Sequence, residues 1–315
     1  MIDYPDESAF ELYFSKIYGP RWLIMRQAFS QPGFKIARRN LFFDPHVWTQ
    51  KHGNWVGEEL SFLPNCYHVN ESVDLQSLDE ILLPLYRMDP ASVVAARALQ
   101  VQPGDRVLDM CAAPGGKSLI LIEAMCGLNI KSQDLSVIDL TGHFVANELS
   151  AKRRHRMMTV IKRYLPKEVR SLVRMRGEDG SRIGLHEKHS YDKILLDAPC
   201  SGERGLFDKL IEIQQWKEKR TKSFAIRQYA LLASAFMALK RGGRLVYSTC
   251  SISPYENDGV IEKFIKRQKK RGGDDFRIQF CDQKNLGEAT EYGTLFLPDK
   301  MGWGPIFFAV IEKLD

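Results

Sequence analysis

Asp109-Met110-Cys111-Ala112-Ala113-Pro114-Gly115-Gly116-Lys117-Ser118 closes the run 106–110 and opens the apolar-periodic stretch 117–125. A short run ending on an acid, then a glycine turn, then helical periodicity reads as strand, tight turn and helix. Gly116-Lys117-Ser118 imitates the end of a phosphate-binding loop. The glycine which that loop needs five residues before Gly116 is Cys111, however, and no full Gly-x-Gly-x-x-Gly is present. What is left is a set of backbone amides at a helix start, suited to the carboxylate of a methionine-like cofactor.

Strand and helix signals alternate outward from that turn. Asp89 before Pro90 caps a helix through Val93, Val94, Ala96 and Leu99, and Pro103-Gly104 is a turn. Strands are expected at 106–110, 144–147, 172–175, 193–196 and 244–247, and helices at 117–125, 151–164 and 221–239. A closing pair at 293–297 and 305–311 adds antiparallel strands at one edge, and 129–141 reads as a surface loop. The fold class is therefore α/β, a Rossmann-like doubly wound sheet with ligands beyond the carboxyl ends of its strands. A small, mainly helical N-terminal region precedes it. There Phe10, Tyr13, Phe14 and Tyr18 mark an opening helix broken near Gly19-Pro20, and Pro45 and Gly53 break the stretch 34–55. The expected division is 1–84, an RNA-facing or structural cap, and 85–315, the catalytic domain.

The chain has 315 residues, 44% of them hydrophobic and 27% charged, enough to bury a core. No apolar run approaches the roughly 18 residues of a membrane span. Asp3, Asp6 and Glu7, with no Lys or Arg among the first ten residues, give the wrong charge for a leader. A cytoplasmic address is expected, or a mitochondrial one if the natural N-terminus is longer. The cysteines at 66, 111, 126, 200, 250 and 281 contain no Cys-x-x-Cys pair, and the seven histidines complete no zinc spacing, so no metal is expected. Cys66, Cys126 and Cys281 read as small buried hydrophobes, and Cys111 as part of the glycine turn.

The net charge is +6, unevenly spread. Lys152, Arg153, Arg154, Arg156, Lys162, Arg163, Lys167, Arg170, Arg174 and Arg176 face the single acid Glu168 in 152–176. Lys217, Lys219, Arg220 and Lys222 flank Trp216 and Phe224, and 263–271 is a third basic run. Any one of these runs also reads as a solvated helix face. Together, with interleaved aromatics, they suit phosphates and stacked bases, with Lys152, Arg154, Arg156, Lys217, Lys219 and Arg220 as the candidate RNA contacts.

Two further islands, Asp197-Ala198-Pro199-Cys200-Ser201-Gly202 and Ser248-Thr249-Cys250-Ser251, each put a thiol on a loop after a strand. Thiols at the open edge of the sheet, beside a cofactor turn, suit methylation of a pyrimidine carbon through a thiol adduct, because covalent addition divides one difficult step into easier ones. Glu148, after the next strand, is placed for ribose hydroxyls, and Asp179 for an adenine amino group; either could equally be a helix cap.

The glycine turn and both islands, with the lead-in Tyr86-Arg87-Met88-Asp89-Pro90-Ala91-Ser92, resemble the Nop/Sun family of S-adenosylmethionine-dependent RNA cytosine-5 methyltransferases over about residues 85–315. Leu297-Pro298-Asp299-Lys300 and Trp303-Gly304-Pro305 are similar to the short branch that includes mitochondrial members acting on ribosomal and transfer RNA. The resemblance implies S-adenosyl-L-methionine as cofactor, leaving as S-adenosyl-L-homocysteine, held by Cys111, Ala112, Ala113, Pro114, Gly115, Gly116, Lys117, Ser118, Glu148, Arg153, Asp179, Gly180 and Asp197. It implies Cys250 as nucleophile and Cys200 in product release, an assignment that motif shape alone leaves open. Asp197, when protonated, is the expected donor to ring nitrogen 3, and Lys117 tunes a thiol or orients the base. Glu148 departs from the Asp of many members but keeps the carboxylate, and 129–141 resembles an insertion. The expected substrate is a single-stranded or flipped cytosine, first in ribosomal RNA, then in transfer RNA. A DNA cytosine-5 methyltransferase using Cys200 and a non-catalytic RNA-binding assembly factor are the other readings. A monomer is expected, with room for a protein partner on residues 1–84.

Overall fold

A computed structural model describes residues 8–69, 73–74, 80–128, 138–207, 210–273, 275–279 and 286–314. The chain opens with α1 (Ala9–Tyr18) and α2 (Arg21–Phe29), parted at Gly19, whose φ of +57° favours glycine. Ser8 caps α1 by accepting from the Glu11 amide at 3.2 Å. Phe10, Phe14, Trp22, Met25 and Phe29 bury their faces against Phe207, Trp216 and Ile252. The N-terminal helices thus brace the loops that follow the two thiol islands. Trp216, expected beside the bases, is buried in this cluster instead, because α1 supplies the aromatic partners Phe10, Tyr13 and Phe14 around it.

Next come β1 (Ile36–Arg39), α3 (Pro45–Trp55), β2 (Val56–Glu59), β3 (Cys66–Val69) and β4 (Leu85–Met88). The four strands form an antiparallel sheet in the order β2-β3-β1-β4, an addition to the helices expected there. It crosses the expected boundary at 84/85, since β4 pairs with β1 through Ile36↔Met88 to Arg39↔Leu85. Arg38, buried on β1, is neutralised by Glu123 at 2.5 and 3.0 Å, which joins this sheet to the main body.

The main body runs α4 (Pro90–Arg97), β5 (Arg106–Asp109), α5 (Gly116–Met125), β6 (His143–Asn147), α6 (Ala151–Tyr164), α7 (Lys167–Arg170), β7 (Val173–Arg176), α8 (Gly180–His186) and β8 (Tyr191–Asp197). A 3-10 turn (Glu203–Leu206), α9 (Leu210–Gln214), α10 (Glu218–Ala238), β9 (Leu239–Thr249) and α11 (Asp258–Lys270) follow. The chain closes with β10 (Phe276–Gln279), β11 (Glu288–Ala289), β12 (Thr294–Phe296), α12 (Pro298–Met301) and β13 (Ile306–Lys313). The main sheet is ordered β11-β12-β13-β9-β8-β5-β6-β7, with β10 also on β13. Strands β5 to β9 pair in parallel, and β13 runs antiparallel to β9. Val93, Leu119, Ile122, Met157 and Ile161 cover one face; Ile183, Leu231, Phe236, Val260 and Phe264 cover the other. A sheet covered on both faces with an antiparallel edge is the expected doubly wound class.

Of the expected loop, 129–137 lies outside the described residues, as does Cys281. Cys66 and Cys126 are buried thiols, and burial pushes them up to about 11 and about 12. Among the described residues no helix is long and apolar enough to cross a membrane.

Candidate active site

Strand order reverses between β5 and β8, so the loops after these two strands diverge and leave a crevice at their carboxyl ends. The glycine turn enters it from β5. Gly115 has φ +112°, a conformation that other residues rarely adopt. A Cβ on Gly116 would stand 2.6 Å from the Tyr86 ring, so β4 packs directly on the start of α5. The Ala112 amide donates to Asn147 O at 2.9 Å, fixing the turn to the end of β6. Ser118 donates to the buried Asp109 carboxyl at 2.7 Å; burial pushes that carboxyl up to about 7, and its Oδ1 has no hydrogen-bond partner.

One wall of the crevice holds a cavity of about 360 Å³ lined by Met110, Cys111, Glu148, Asp179, Gly180 and Pro199, among others. Glu148 is buried; its Oε1 accepts from Ser150 N at 2.9 Å, while Oε2 lies 3.2 Å from Arg153 Nη1 without an aligned donor. Arg153 also donates to Ala113 O at 2.7 Å, tying α6 to the glycine turn. Asp179 caps α8 through Oδ1, which accepts from the Ser181 hydroxyl at 2.8 Å and the Ser181 amide at 3.0 Å. Those two bonds hold its carboxyl below the usual carboxylate range. Asn147, missed in the sequence, bridges β5 and the loop after β7: it donates to Met110 O and Glu178 O and accepts from Glu178 N.

A second cavity, of about 250 Å³, is lined by Tyr86, Asp89, Asp109, Cys111, Pro114, Gly116, Lys117 and Asp197, among others. Cys111 lies in the walls of both, and burial pushes its thiol up. At the mouth Lys117 donates to Asp197 Oδ2 at 2.7 Å, and Ser248 donates to Asp197 Oδ1 at 2.6 Å. Burial opposes the Lys117 charge, but Asp197, with help from Cys250, outweighs it and leaves the ammonium above its ordinary value. With both oxygens accepting, Asp197 here is not yet the donor the sequence suggested.

Parallel pairing of β8 with β9 puts Asp197 opposite Ser248, so the loops that follow run side by side. Cys200 Sγ and Cys250 Sγ lie 2.7 Å apart, with Cys250 exposed and Cys200 half-buried. The contact with Cys250, and then burial, raises the Cys200 thiol well above its ordinary value. The two sulfurs are close enough to share a hydrogen, and either can be its donor. Among the described residues no group of three His, Cys, Asp or Glu could hold a metal.

The expected RNA contacts are divided. Lys152 and Arg156 are exposed on α6, whereas Arg154 is turned inward, donating to Glu148 O at 2.7 Å and Leu149 O at 3.3 Å. Lys217, Lys219 and Arg220 are exposed at the start of α10, where Arg220 also donates to Ser201 O at 3.3 Å, beside Cys200.

A doubly wound sheet with a glycine turn after its first parallel strand, an acid beyond each of the next two and an antiparallel edge defines a class I methyltransferase, whose cofactor is S-adenosyl-L-methionine. The chain belongs to the family described as 16S rRNA methyltransferase RsmB/F, which matches residues 96–312. It is 34% identical over 246 residues to the 5-cytosine rRNA methyltransferase NSUN4 of Bos taurus, covering 74% of this chain and 60% of that one. It is 31% identical over 237 residues to the mitochondrial tRNA (cytosine(34)-C(5))-methyltransferase of Danio rerio, covering 73% and 60%. The chain thus spans about 60% of the length of these curated relatives. Among solved structures, NSun6 from Pyrococcus horikoshii superposes with a TM-score of 0.75 at 18% identity, covering 99% of each chain. At that identity the likeness speaks for the fold.

Proposed function

We propose that this protein is an RNA (cytosine-5) methyltransferase acting on ribosomal RNA, with Cys250 as nucleophile. The observation that carries the reading is the Cys200–Cys250 contact at the mouth of a crevice bounded by the glycine turn, Lys117 and Asp197. The family, and the ribosomal substrate in the name of the bovine relative, support it.

The residues present fit S-adenosyl-L-methionine. The free amides at the start of α5 would receive its carboxylate, the unaligned Glu148 Oε2 would accept from the ribose, and Asp179 beside Gly180 would meet the adenine amino group. Bound there, the cofactor supplies an electrophilic methyl group.

Cys250 thiolate forms a bond to carbon 6 of the cytosine, and the electron pair of the carbon 5–carbon 6 double bond makes carbon 5 nucleophilic toward that methyl group. Lys117 lies where its charge stabilises the ring as it becomes electron-rich. Asp197 takes up the proton that Cys250 gives up on becoming a thiolate and donates it to ring nitrogen 3. After methyl transfer Cys200, as thiolate, accepts the proton of carbon 5 while the carbon 6–sulfur bond breaks and returns its electron pair to Cys250.

The test is methyl transfer from labelled cofactor to ribosomal RNA transcripts, with the base located by bisulfite sequencing. Cys250→Ala is expected to abolish transfer, and Cys200→Ala to accumulate a protein–RNA adduct through Cys250. An adduct through Cys200 in Cys250→Ala would overturn the assignment. Transfer RNA is the second substrate, supported by the zebrafish relative, whose mitochondrial name also favours the mitochondrial address over the cytoplasmic one.

A further inference from the structure

Two carboxyls beneath the thiol loops take no part in that chemistry. Glu203, on the 3-10 turn, and Glu256, in the turn before α11, are fully shielded from solvent. Glu203 Oε2 accepts from Ile252 N at 3.2 Å; Glu256 Oε2 accepts from Ser201 N at 2.9 Å and Gln228 Nε2 at 2.8 Å. Their Oε1 atoms converge on one hydroxyl, that of Ser201, which touches both. The Ser251 hydroxyl lies 3.2 Å from both Oε1 atoms and from Ser201 Oγ. Ser201 follows Cys200 and Ser251 follows Cys250, so the carboxyl pair grips each thiol loop at the residue next to its sulfur.

The supply of hydrogens limits this arrangement. A hydroxyl has one hydrogen and ionised carboxylates only accept, so Ser201 can donate to one acid and must receive from the other. One carboxyl therefore carries a proton. Neither makes an ion pair among the described residues, and two bare carboxylates sharing one buried hydroxyl would repel. Burial, then the charge of Glu256, pushes Glu203 up to about 7, and burial raises Glu256 as well.

We propose that Glu203 and Glu256 share one proton and act as positioning residues, clamping the Cys200 and Cys250 loops into the register that brings the sulfurs together. The clamp rests on the proposed reading of the two cysteines for its purpose, though not for its geometry. The other groups facing it are Tyr13 and Tyr18 from α1, Tyr247 from β9, Cys200, and Arg220 from α10. Burial raises all three tyrosines above their ordinary value, so they remain neutral donors near neutral pH.

The test uses dibromobimane, which bridges two nearby thiols, on the RNA-free protein from pH 6 to 9, with bridged and singly modified Cys200 and Cys250 peptides counted by mass spectrometry. In the wild type the bridged share is expected to fall several-fold as pH rises through about 7 and the pair loses its proton. Glu203→Gln carries a permanent donor, so its share should stay flat and high. Glu203→Ala should be about ten-fold lower already at pH 6, with thermal unfolding and S-adenosylhomocysteine binding reporting that it is folded. If Glu203→Ala does not fold, the comparison of wild type with Glu203→Gln decides alone. Identical pH profiles for those two, or full bridging in folded Glu203→Ala, would overturn the clamp. No RNA enters this assay, so its failure leaves the methylation reading standing, and methylation by Cys250→Ala would end that reading without touching the clamp.

Discussion

Lys117 Nζ sits 2.7 Å from Asp197 Oδ2, which joins the first residues of α5 to the end of β8 across the point where strand order reverses. The pair is only partly shielded, with side-chain exposures of 13% and 30%. Lys117→Met removes a charged donor and leaves Asp197 with Ser248 alone, a loss of about 1–3 kcal/mol in stability. Asp197→Asn keeps an acceptor for Ser248, so thermal unfolding should move less, while methyl transfer falls by about 10²-fold or more. Asp197→Asn turning over at the wild-type rate in single-turnover assays would remove Asp197 from the reaction.

Much of this site was legible because its parts are local. The glycine turn, the two thiol islands, Glu148 and Asp179 each lie within a residue or two of a strand end or helix start, and the alternation of elements fixes which edge those ends share. What escaped reading depends on contacts far apart in sequence. The strands of the small sheet are four residues each and pair across long connections, as β1 does with β4, so no single stretch announces them. Glu203 and Glu256 look like ordinary surface acids, since unpaired acids are seldom buried; only folding α1, α10 and the thiol loops around them makes them a pair. Trp216 misled for the same reason, as its partners lie at the other end of the chain.

Cofactor affinity should separate the two acids of the larger cavity. Glu148 has one oxygen without an aligned donor, and a bond from a ribose hydroxyl to that charged acceptor is worth about 1.5–3 kcal/mol. Glu148→Ala is expected to weaken S-adenosylhomocysteine binding by about 10- to 100-fold in calorimetry. Asp179→Ala loses its bonds to Ser181 and with them the cap of α8, so about 1 kcal/mol of its effect should appear as lost stability without ligand. Equal affinities for wild type and Glu148→Ala would put the ribose elsewhere.

Asp109 makes stability depend on pH. Burial raises its carboxyl to about 7 in the folded chain, from 3.8 when unfolded, so the folded state holds the proton more tightly. The resulting stabilisation is fully present below pH 3.8 and is lost as pH rises through about 7. Asp109→Asn can still accept from Ser118 and cannot ionise. The wild type should therefore lose several degrees of melting temperature relative to Asp109→Asn between about pH 5 and 8, on the order of a few kcal/mol. Parallel melting curves across that range would show that the Asp109 side chain is solvated or paired in solution.

The basic face of α6 should sort into two kinds of arginine. Arg156 and Lys152 are exposed, so each is free to meet a phosphate, and every phosphate of a single-stranded RNA left without its cation should reduce the slope of log affinity against log salt by about 0.7. The double substitution Lys152→Ala, Arg156→Ala is expected to weaken binding several-fold at low salt, to flatten the slope by about 1.4 and to leave S-adenosylhomocysteine affinity unchanged. Arg154→Ala should do the reverse, because its guanidinium holds the Glu148 and Leu149 carbonyls beside the cofactor cavity. Removing it frees the loop that carries Glu148, so cofactor affinity drops with little change in salt slope. Filter binding of RNA at several salt concentrations, alongside calorimetry of cofactor binding, measures both. Unchanged RNA affinity at low salt in the double variant would move the RNA off α6 and leave the start of α10, where Arg220 reaches Ser201 O beside Cys200, as the basic surface nearest the thiols.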